Sequence, residues 1–246
     1  MKTLTASAFY SHLSDKFPHD PTQKQTLALK ALSAFVTRGD SGEVFLLKGY
    51  AGTGKTTLLG TLITNLWHIR KKAVLMAPTG RAAKVMSAYT GAKAHTIHRK
   101  IYFPKKDRSG GVRFTLAPNR HRNTVFIVDE ASMIPDAPTD TGGKGSGALL
   151  DDLMTFVNSG YKCQLVLVGD TAQLPPVKLS LSPALDAGKI GLNYGKEVLE
   201  IELDEVVRQS RDSGILMNAT RLRELIGQDP LPPFRFSLSS FPDIVR

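Results

Sequence analysis

A glycine-rich loop, set between an apolar run and a helical pattern, limits what this chain can fold into more than any other feature. The run EVFLLKG (43–49) is typical of a buried strand, and GYAGTGKTT (49–57) follows it directly. The spacing Gly-x4-Gly-Lys-Thr is the P-loop pattern, which binds triphosphates when a strand precedes it and a helix, here about 55–69, follows it. We therefore predict a nucleotide site at the end of this strand; an ordinary Gly-rich turn is the weaker alternative.

Each residue type in the loop has a use around phosphates. The glycines allow backbone N–H groups to turn inward around the β-phosphate, Lys55 can reach the β- and γ-phosphates, and Thr56 can ligate Mg²⁺ at the positive end of the helix dipole. Kinases, switch GTPases, assembly ATPases and DNA motors all carry such loops, so the loop alone does not say what hydrolysis drives. The nucleotide-binding residues that it predicts are Gly49, Gly52, Thr53, Gly54, Lys55, Thr56 and Thr57.

Short apolar runs recur along the chain, with helical patterns between several of them. Strands without polar alternation that alternate with helices indicate a parallel sheet covered by helices on both faces. We therefore predict one doubly wound α/β domain, preceded by a helix that Asp20 caps and Gly39 ends. The predicted strands are 43–49, AVLMAP (73–78), TVFIVDE (124–130), CQLVLVGD (163–170) and VLEIEL (198–203), and the helices include 80–89 and 148–158.

Composition limits the kinds of partner. Lys and Arg number 32 against 22 Asp and Glu, giving a net charge of +10 and a pI near 9.7, which favours polyanionic partners such as nucleic acid. Cys163 is the only cysteine, so neither an intrachain disulfide nor a Cys-based zinc site is possible, which fits a reducing cytoplasm. No apolar run approaches the roughly 20 residues of a membrane span. We expect a soluble cytoplasmic protein.

An acidic pair follows another predicted strand. In VFIVDEAS (125–132), Asp129 can hold Mg²⁺ through water beside the phosphates, and Glu130 can orient and deprotonate the attacking water. Alone, such a pair is often a helix cap, but together with the P-loop it predicts an ATPase that uses ATP and Mg²⁺. A small-molecule kinase is disfavoured, because a carboxylate beside the metal carboxylate favours water as the nucleophile.

Two polar stretches do not fit the regular core. Residues 99–122 contain eight basic residues against one acid, and aromatic-containing runs flank KKDRSGG within them. This pattern predicts an excursion or hairpin that projects from the sheet. Residues 136–147, DAPTDTGGKGSG, are typical of a surface loop.

The order of the motifs resembles that of superfamily 1 helicases, and most closely the RecD/Dda branch of 5′-to-3′ DNA helicases. The resemblance covers residues 20–210. It implies a RecA-like P-loop NTPase domain that binds single-stranded DNA or a single-strand/duplex junction. The similar segments are PTQKQ (21–25, Q-motif), APTGRAAKVMS (77–87, motif Ia), HTIHR (95–99, motif Ib), IVDEASM (127–133, motif II), LVLVGDTAQLPPV (165–177, motif III) and ELDEVVRQ (202–209, motif IV).

The resemblance implies roles for three further residues near the phosphates. Gln25 would read the adenine edge, since an amide offers both a donor and an acceptor. Gln173 would couple the phosphate state to the grip on DNA, and Arg208 would place its guanidinium on the γ-phosphate. Together with Lys55, Asp129 and Glu130, Gln173 and Arg208 form the predicted catalytic set. A solvated helix residue is the alternative for Gln25.

The same resemblance implies a single-strand path lined by Pro78, Thr79, Thr96 and His98. Threonine hydroxyls and the imidazole can bond DNA phosphates without reading bases. A satisfied structural histidine is the alternative for His98. The basic stretch 99–122 would supply a pin at the duplex fork, with a solvated basic loop nearly as well supported.

The resemblance also implies a partner for this domain. ATP would bind between two RecA-like domains, of which residues 1–246 form the N-terminal one; nothing after Arg208 resembles the second. Its arginine finger is typically worth about 10³–10⁵ in rate, so we expect this chain alone to bind MgATP but to hydrolyse it slowly. The alternative function is a non-motor P-loop ATPase acting as a nucleotide-dependent DNA-binding or loader module.

Overall fold

Apolar strands that pair in parallel form the centre of the molecule, described here from a computed structural model. The strands are β1 (Glu43–Gly49), β2 (Lys72–Ala77), β3 (Ala94–Thr96), β4 (Tyr102–Lys106), β5 (Val112–Leu116), β6 (Thr124–Val128), β7 (Gln164–Gly169) and β8 (Glu197–Leu203). Six of them form one parallel sheet in the order β3-β2-β6-β7-β1-β8, while β4 pairs with β5 antiparallel. The structure describes residues 4–39, 42–106, 112–135, 148–176, 179–205, 207, 213–226, 232–238, 241 and 243.

Helices cover both faces of the sheet. They are α1 (Ala6–Lys16), α2 (Gln23–Arg38), α3 (Lys55–Asn65), α4 (Gly80–Thr90), α5 (Ile97–Ile101), α6 (Leu149–Asn158), α7 (Ala187–Tyr194) and α8 (Gly214–Ile226). Alternate residues of β1 show the division: Phe45 and Leu47 pack in one core with α1 to α4, whereas Val44 and Leu46 pack in a second core with α5, α6 and α7. The doubly wound α/β prediction, with a P-loop between β1 and α3, is confirmed.

Two helices differ from their predicted bounds by more than one residue. Asp20 does not cap α2; Thr22 does, in a capping box in which its hydroxyl accepts from Gln25 N while the Gln25 side chain accepts from Thr22 N. This reciprocal pair satisfies two backbone donors at once, which a lone Asp20 could not do. The helix predicted over 55–69 stops at Asn65 and continues as a 3₁₀ turn, Leu66–Ile69.

The basic stretch contains the antiparallel pair β4–β5, in which Tyr102 lies opposite Leu116. Its base is fixed to the core because Tyr102 donates a 2.5 Å hydrogen bond to Asp152 on α6, a residue only 3% exposed. Residues 107–111, within the excursion predicted over 99–122, and the predicted loop at 136–147 lie outside the described residues. Among the helices that the structure describes, none has the length and apolar character that crossing a bilayer requires.

Candidate nucleotide site

A cleft of about 390 Å³ opens at the carboxyl ends of β1, β6 and β7. Parallel strands bring their carboxyl ends to one edge of the sheet, so residues that follow three separate strands meet there. The residues that line the cleft are Phe17, His19, Gln25, Tyr50, Ala51, Gly52, Gly54, Lys55, Thr56, Thr57, Asp129, Glu130, Asp170, Gln173 and Val207.

The loop between β1 and α3 is held in its curved shape by a hydrogen bond within the loop and by hydrogen bonds from residues outside it. Thr53 is fully buried, and its hydroxyl donates a 2.8 Å hydrogen bond to the carbonyl of Tyr50. Gly54 has a φ of +87°, and a Cβ there would lie 2.3 Å from Nε2 of Gln25. Only glycine fits this left-handed position without displacing Gln25. Outside the loop, Val207 N donates to the carbonyl of Gly52 at 3.1 Å.

Lys55 is the first residue of α3 and points back along the loop. Its ammonium donates hydrogen bonds of 2.5 Å to the carbonyl of Gly49 and 2.9 Å to that of Tyr50. Thr56 and Thr57 follow it on the first turn of α3 and line the same cleft. Since backbone N–H groups of a helix N-terminus attract anions, this cation and this helix end form one positively charged wall.

The acidic pair forms the opposite wall. Asp129 follows β6, and its backbone N–H donates to the carbonyl of Met76 on β2 at 3.0 Å. One carboxylate oxygen of Asp129 accepts from Glu130 N at 2.9 Å, and the other accepts from the Tyr89 hydroxyl at 2.8 Å. Glu130 has a φ of +57°, a left-handed conformation that is uncommon outside glycine.

Burial raises the pKa of the Glu130 carboxyl, and the neighbouring charge of Asp129 raises it further. A hydrogen bond from Gln173 and the charge of Lys55 act in the opposite direction. Gln173 also accepts a 3.2 Å hydrogen bond from the hydroxyl of Ser132. The amide of Gln173 therefore lies between the segment that follows β7 and the acidic segment that follows β6.

The oxygen atoms around the acidic pair suit a small divalent cation. Thr56 offers a hydroxyl and Asp129 a carboxylate, which are the hard oxygen donors that Mg²⁺ prefers. The described residues contain no cluster of three or more His, Cys, Asp or Glu side chains able to hold a metal ion. Mg²⁺ usually binds through one or two protein groups, with waters and substrate phosphates as its other ligands.

Gln25 lies under the loop rather than in solvent. It is 2% exposed, and its Nε2 donates a 2.8 Å hydrogen bond to the carbonyl of Thr53. The alternative of a solvated helix residue is therefore wrong. Phe17 and His19 line the cleft on the same side, on the segment before α2. Sequence reasoning missed these two residues; their proximity to the Q-motif was the available signal.

The predicted single-strand residues meet at the ends of β2 and β3, where Ala77 pairs with Thr96 and Pro78 and Thr79 follow. Thr79 caps α4 and Thr96 caps α5, each accepting a 3.2 Å hydrogen bond from a backbone N–H. Each hydroxyl proton remains a possible donor. Burial lowers the pKa of His98, so its imidazole is neutral near pH 7 and offers a hydrogen bond rather than a charge.

Of the predicted set, the structure brings most members to the cleft. Gly49 and Thr53 lie just beneath it and offer their carbonyls to Lys55 and Gln25. Arg208 lies outside the described residues. Asp170, which is 6% exposed and follows β7, and Tyr89 were not predicted as site residues. The Gly-Asp end of motif III was a signal for Asp170, whereas nothing local distinguishes Tyr89.

Comparisons with known proteins agree with this geometry. Residues 22–225 match the AAA domain family. The chain is 33% identical over 186 residues to the ATP-dependent RecD2 DNA helicase of Deinococcus radiodurans, covering 75% of this chain and 22% of that protein. It is 28% identical over 168 residues to the ATP-dependent DNA helicase dda of Enterobacteria phage T4, covering 67% of this chain and 34% of that protein.

Among solved structures, unliganded Pif1 from Bacteroides sp. aligns with a TM-score of 0.46 at 20% identity, over 85% of this chain and 47% of that chain. This chain thus spans about a fifth of the RecD2 relative, a third of the dda relative and half of the Pif1 structure.

Proposed function

Because this chain belongs to the AAA domain family and has ATP-dependent DNA helicases of the superfamily 1B type among its relatives, we propose that it is the ATP-binding motor domain of a DNA helicase. The domain couples ATP hydrolysis to translocation on single-stranded DNA and to duplex unwinding, in the 5′-to-3′ direction. The observation that carries this proposal is that Lys55, Asp129, Glu130 and Gln173 line one cleft at the carboxyl edge of a parallel sheet.

The positions of these side chains support a role for each of them in hydrolysis. Lys55 and the first turn of α3 bind the β- and γ-phosphates, and Thr56 and Asp129 hold the metal ion. When bound, Mg²⁺ neutralises charge on the phosphate oxygens. Glu130 orients the attacking water and accepts its proton, and the raised pKa of this carboxyl strengthens it as a base. Gln25, Phe17 and His19 surround the place for the base of the nucleotide.

The proposed DNA-binding surface lies at the edge of the sheet that β3 forms. Residues that line a shallow cavity there include Gly80, Lys84, Ser87, Lys93, Thr96 and Arg99. Lysine and arginine neutralise backbone phosphates, and hydroxyls and backbone N–H groups position the strand without reading its sequence. Pro78, Thr79, Thr96 and His98 belong to this path in the proposal.

The hairpin β4–β5 is proposed as the pin at the duplex fork. Phe103 and Phe114 are 40% and 44% exposed on it, and exposed aromatic rings can stack on an unpaired base. Phe114 also lines an apolar cavity of about 440 Å³ with Tyr102, Pro104 and His98. A solvated basic loop is the competing interpretation of the same stretch.

A second RecA-like domain completes the proposed motor. It would close over the cleft and supply an arginine finger to the γ-phosphate, as Arg208 would from this domain. The proposal therefore includes slow hydrolysis by residues 1–246 alone, since such a finger contributes about 10³–10⁵ to the rate.

The test compares nucleotide binding, hydrolysis and unwinding. Residues 1–246 should bind MgATP, and Lys55→Ala should abolish that binding. The full-length protein should hydrolyse ATP faster with single-stranded DNA and unwind duplexes with a 5′ tail rather than a 3′ tail. Nucleotide-dependent DNA binding without unwinding would favour the loader module instead. Several DNA-stimulated turnovers per second from residues 1–246 would contradict the requirement for a second domain.

A further inference from the structure

One contact at the acidic pair comes from a residue outside the helicase-like motifs. Tyr89, in the last turn of α4, donates a 2.8 Å hydrogen bond to Oδ2 of Asp129. The Tyr89 side chain is partly buried and packs against the core that α1 to α4 share. A phenol that reaches a carboxylate from a neighbouring helix, with its ring packed in the core, has a fixed position.

The geometry points to Tyr89 as a positioning residue for the metal site: its hydroxyl holds the Asp129 carboxylate in the orientation that binds Mg²⁺. This inference rests on the proposed function, in which Asp129 holds the metal ion.

Two donors fix the carboxylate, one on each oxygen. Glu130 N donates to Oδ1 at 2.9 Å and Tyr89 donates to Oδ2 at 2.8 Å. Each carboxylate oxygen has two acceptor directions, so each keeps one for the cation or its bound water. With Tyr89 removed, Oδ2 loses its donor and the carboxylate can rotate about its terminal bond. Partners that orient a metal-binding carboxylate commonly change metal affinity about 10–100-fold when removed.

Helix α4, which carries Tyr89, is held in place by its packing and by a hydrogen bond. Met86 is fully buried and Thr90 is 8% exposed, so the last turns of α4 are packed against the sheet. Ser87 adds a hydrogen bond from the backbone of Ala94 on β3 at 2.9 Å. The hydroxyl of Tyr89 is therefore carried by a helix fixed at two places rather than by a loop.

The experiment measures Mg²⁺-dependent nucleotide binding by residues 1–246, using a fluorescent ATP analogue titrated with MgCl₂ and again in EDTA. Tyr89→Phe keeps the ring and removes the hydroxyl. We expect its Mg²⁺ midpoint to rise about tenfold while its affinity in EDTA stays that of the parent. Tyr194→Phe is the matched control, because it removes an exposed 2.6 Å Tyr–Asp hydrogen bond, to Asp151, outside the cleft; its midpoint should not move.

Two results would overturn the inference. One is a Mg²⁺ midpoint for Tyr89→Phe equal to that of the parent; the other is an equal loss of binding with and without Mg²⁺, which indicates packing only. Thermal unfolding of Tyr89→Phe and Tyr194→Phe checks that both variants are folded. Tyr89→Met, titrated alongside, tests the same loss of the hydroxyl with a different apolar side chain. Asp129→Asn distinguishes failure of the proposed function from failure of this inference. If Asp129→Asn also keeps the Mg²⁺ midpoint of the parent, the proposed metal role of Asp129 fails. If only Tyr89→Phe keeps it, the positioning role alone fails.

Discussion

The side-chain amide of Gln25 donates a 2.8 Å hydrogen bond to the backbone carbonyl of Thr53, so the first turn of α2 supports the phosphate loop from beneath. The same amide accepts from Thr22 N at 3.1 Å and closes the capping box of α2. Gln25 thus joins the start of one helix to the loop before another. The loop's shape depends on a residue 28 positions away in the sequence.

Gln25→Ala should lower both stability and nucleotide affinity. Loss of the amide leaves the buried carbonyl of Thr53 and the N–H of Thr22 without this partner, a cost of about 1–3 kcal/mol for each buried group left unsatisfied. Urea denaturation without nucleotide measures the first effect, and titration with an ATP analogue the second. Gln23→Ala is the control, because Gln23 is exposed in the same turn; a similar loss there would contradict this explanation.

Gly54→Ala should abolish nucleotide binding. Gly54 has a φ of +87°, which strains the backbone of any residue with a Cβ, and a Cβ there would lie only 2.3 Å from the Gln25 amide and displace it. A left-handed conformation alone costs about 1–2 kcal/mol for a residue with a Cβ. Gly60→Ala, within α3 where a Cβ meets nothing within 4 Å, should instead stabilise the chain by about 0.5–1 kcal/mol. Denaturation curves of the two variants should therefore move in opposite directions.

Glu130→Gln should separate binding from hydrolysis. If Glu130 is the general base, hydrolysis by the full-length protein falls about 10²–10⁴-fold while MgATP binding remains. Single-turnover hydrolysis beside equilibrium binding measures both quantities. A variant that hydrolyses ATP at the parent rate would remove Glu130 from the mechanism.

The difference in stability between Glu130→Gln and the parent should depend on pH. Because the pKa of Glu130 is raised in the folded chain above its ordinary value of 4.5, the charged carboxylate disfavours folding at neutral pH. The unfavourable contribution of this carboxylate to the free energy of unfolding is absent below about pH 4.5 and grows as the pH rises through the pKa of Glu130 in the folded chain. Glu130→Gln should therefore be more stable than the parent at pH 7, with the difference vanishing in acid. Denaturation at both pH values checks the sign.

Tyr102→Phe should destabilise the chain by about 1–3 kcal/mol, since Tyr102 donates a 2.5 Å hydrogen bond to the nearly buried Asp152. The bond ties the base of the hairpin to α6; if the hairpin is the proposed pin, unwinding of forked DNA by a protein that contains this domain should also weaken. Tyr194→Phe removes an exposed bond of the same kind and should cost less, because water can replace the lost donor to an exposed carboxylate. Equal losses in the two variants would indicate that burial of Asp152 is unimportant.

The sequence predicts the parts of the fold that depend on continuous apolar runs. The strand at 43–49 is observed with those bounds, because buried parallel strands need no polar alternation. By contrast, β3 has three residues and, within the described part of the chain, pairs with β2 alone, so its formation depends on a neighbour rather than on its own pattern. Helix α1 buries only Phe9 and Leu13, which is too sparse a pattern to distinguish it from a loop.

The residues of the candidate site also fall into those that the sequence identifies and those that it does not. Lys55 and Asp129 are recognisable because fixed spacing places them directly after strands that share one edge. Tyr89 is not, because its contact with Asp129 crosses 40 positions and depends on how α4 packs on the sheet. The cap of α2 is an intermediate case, since Thr22 and Gln25 show capping-box spacing that the neighbouring Asp20 and Pro21 obscure.

Strand β7 lies between β1 and β6, pairing Val168 with Leu47 on one side and Leu167 with Val128 on the other. Strand β1, which leads into the phosphate loop, and strand β6, which leads into the acidic turn, are therefore not paired with each other; β7 lies between them, and Gln173 follows β7. Because β7 is hydrogen-bonded to both of these strands, a shift of β7 would be transmitted to both sides of the cleft.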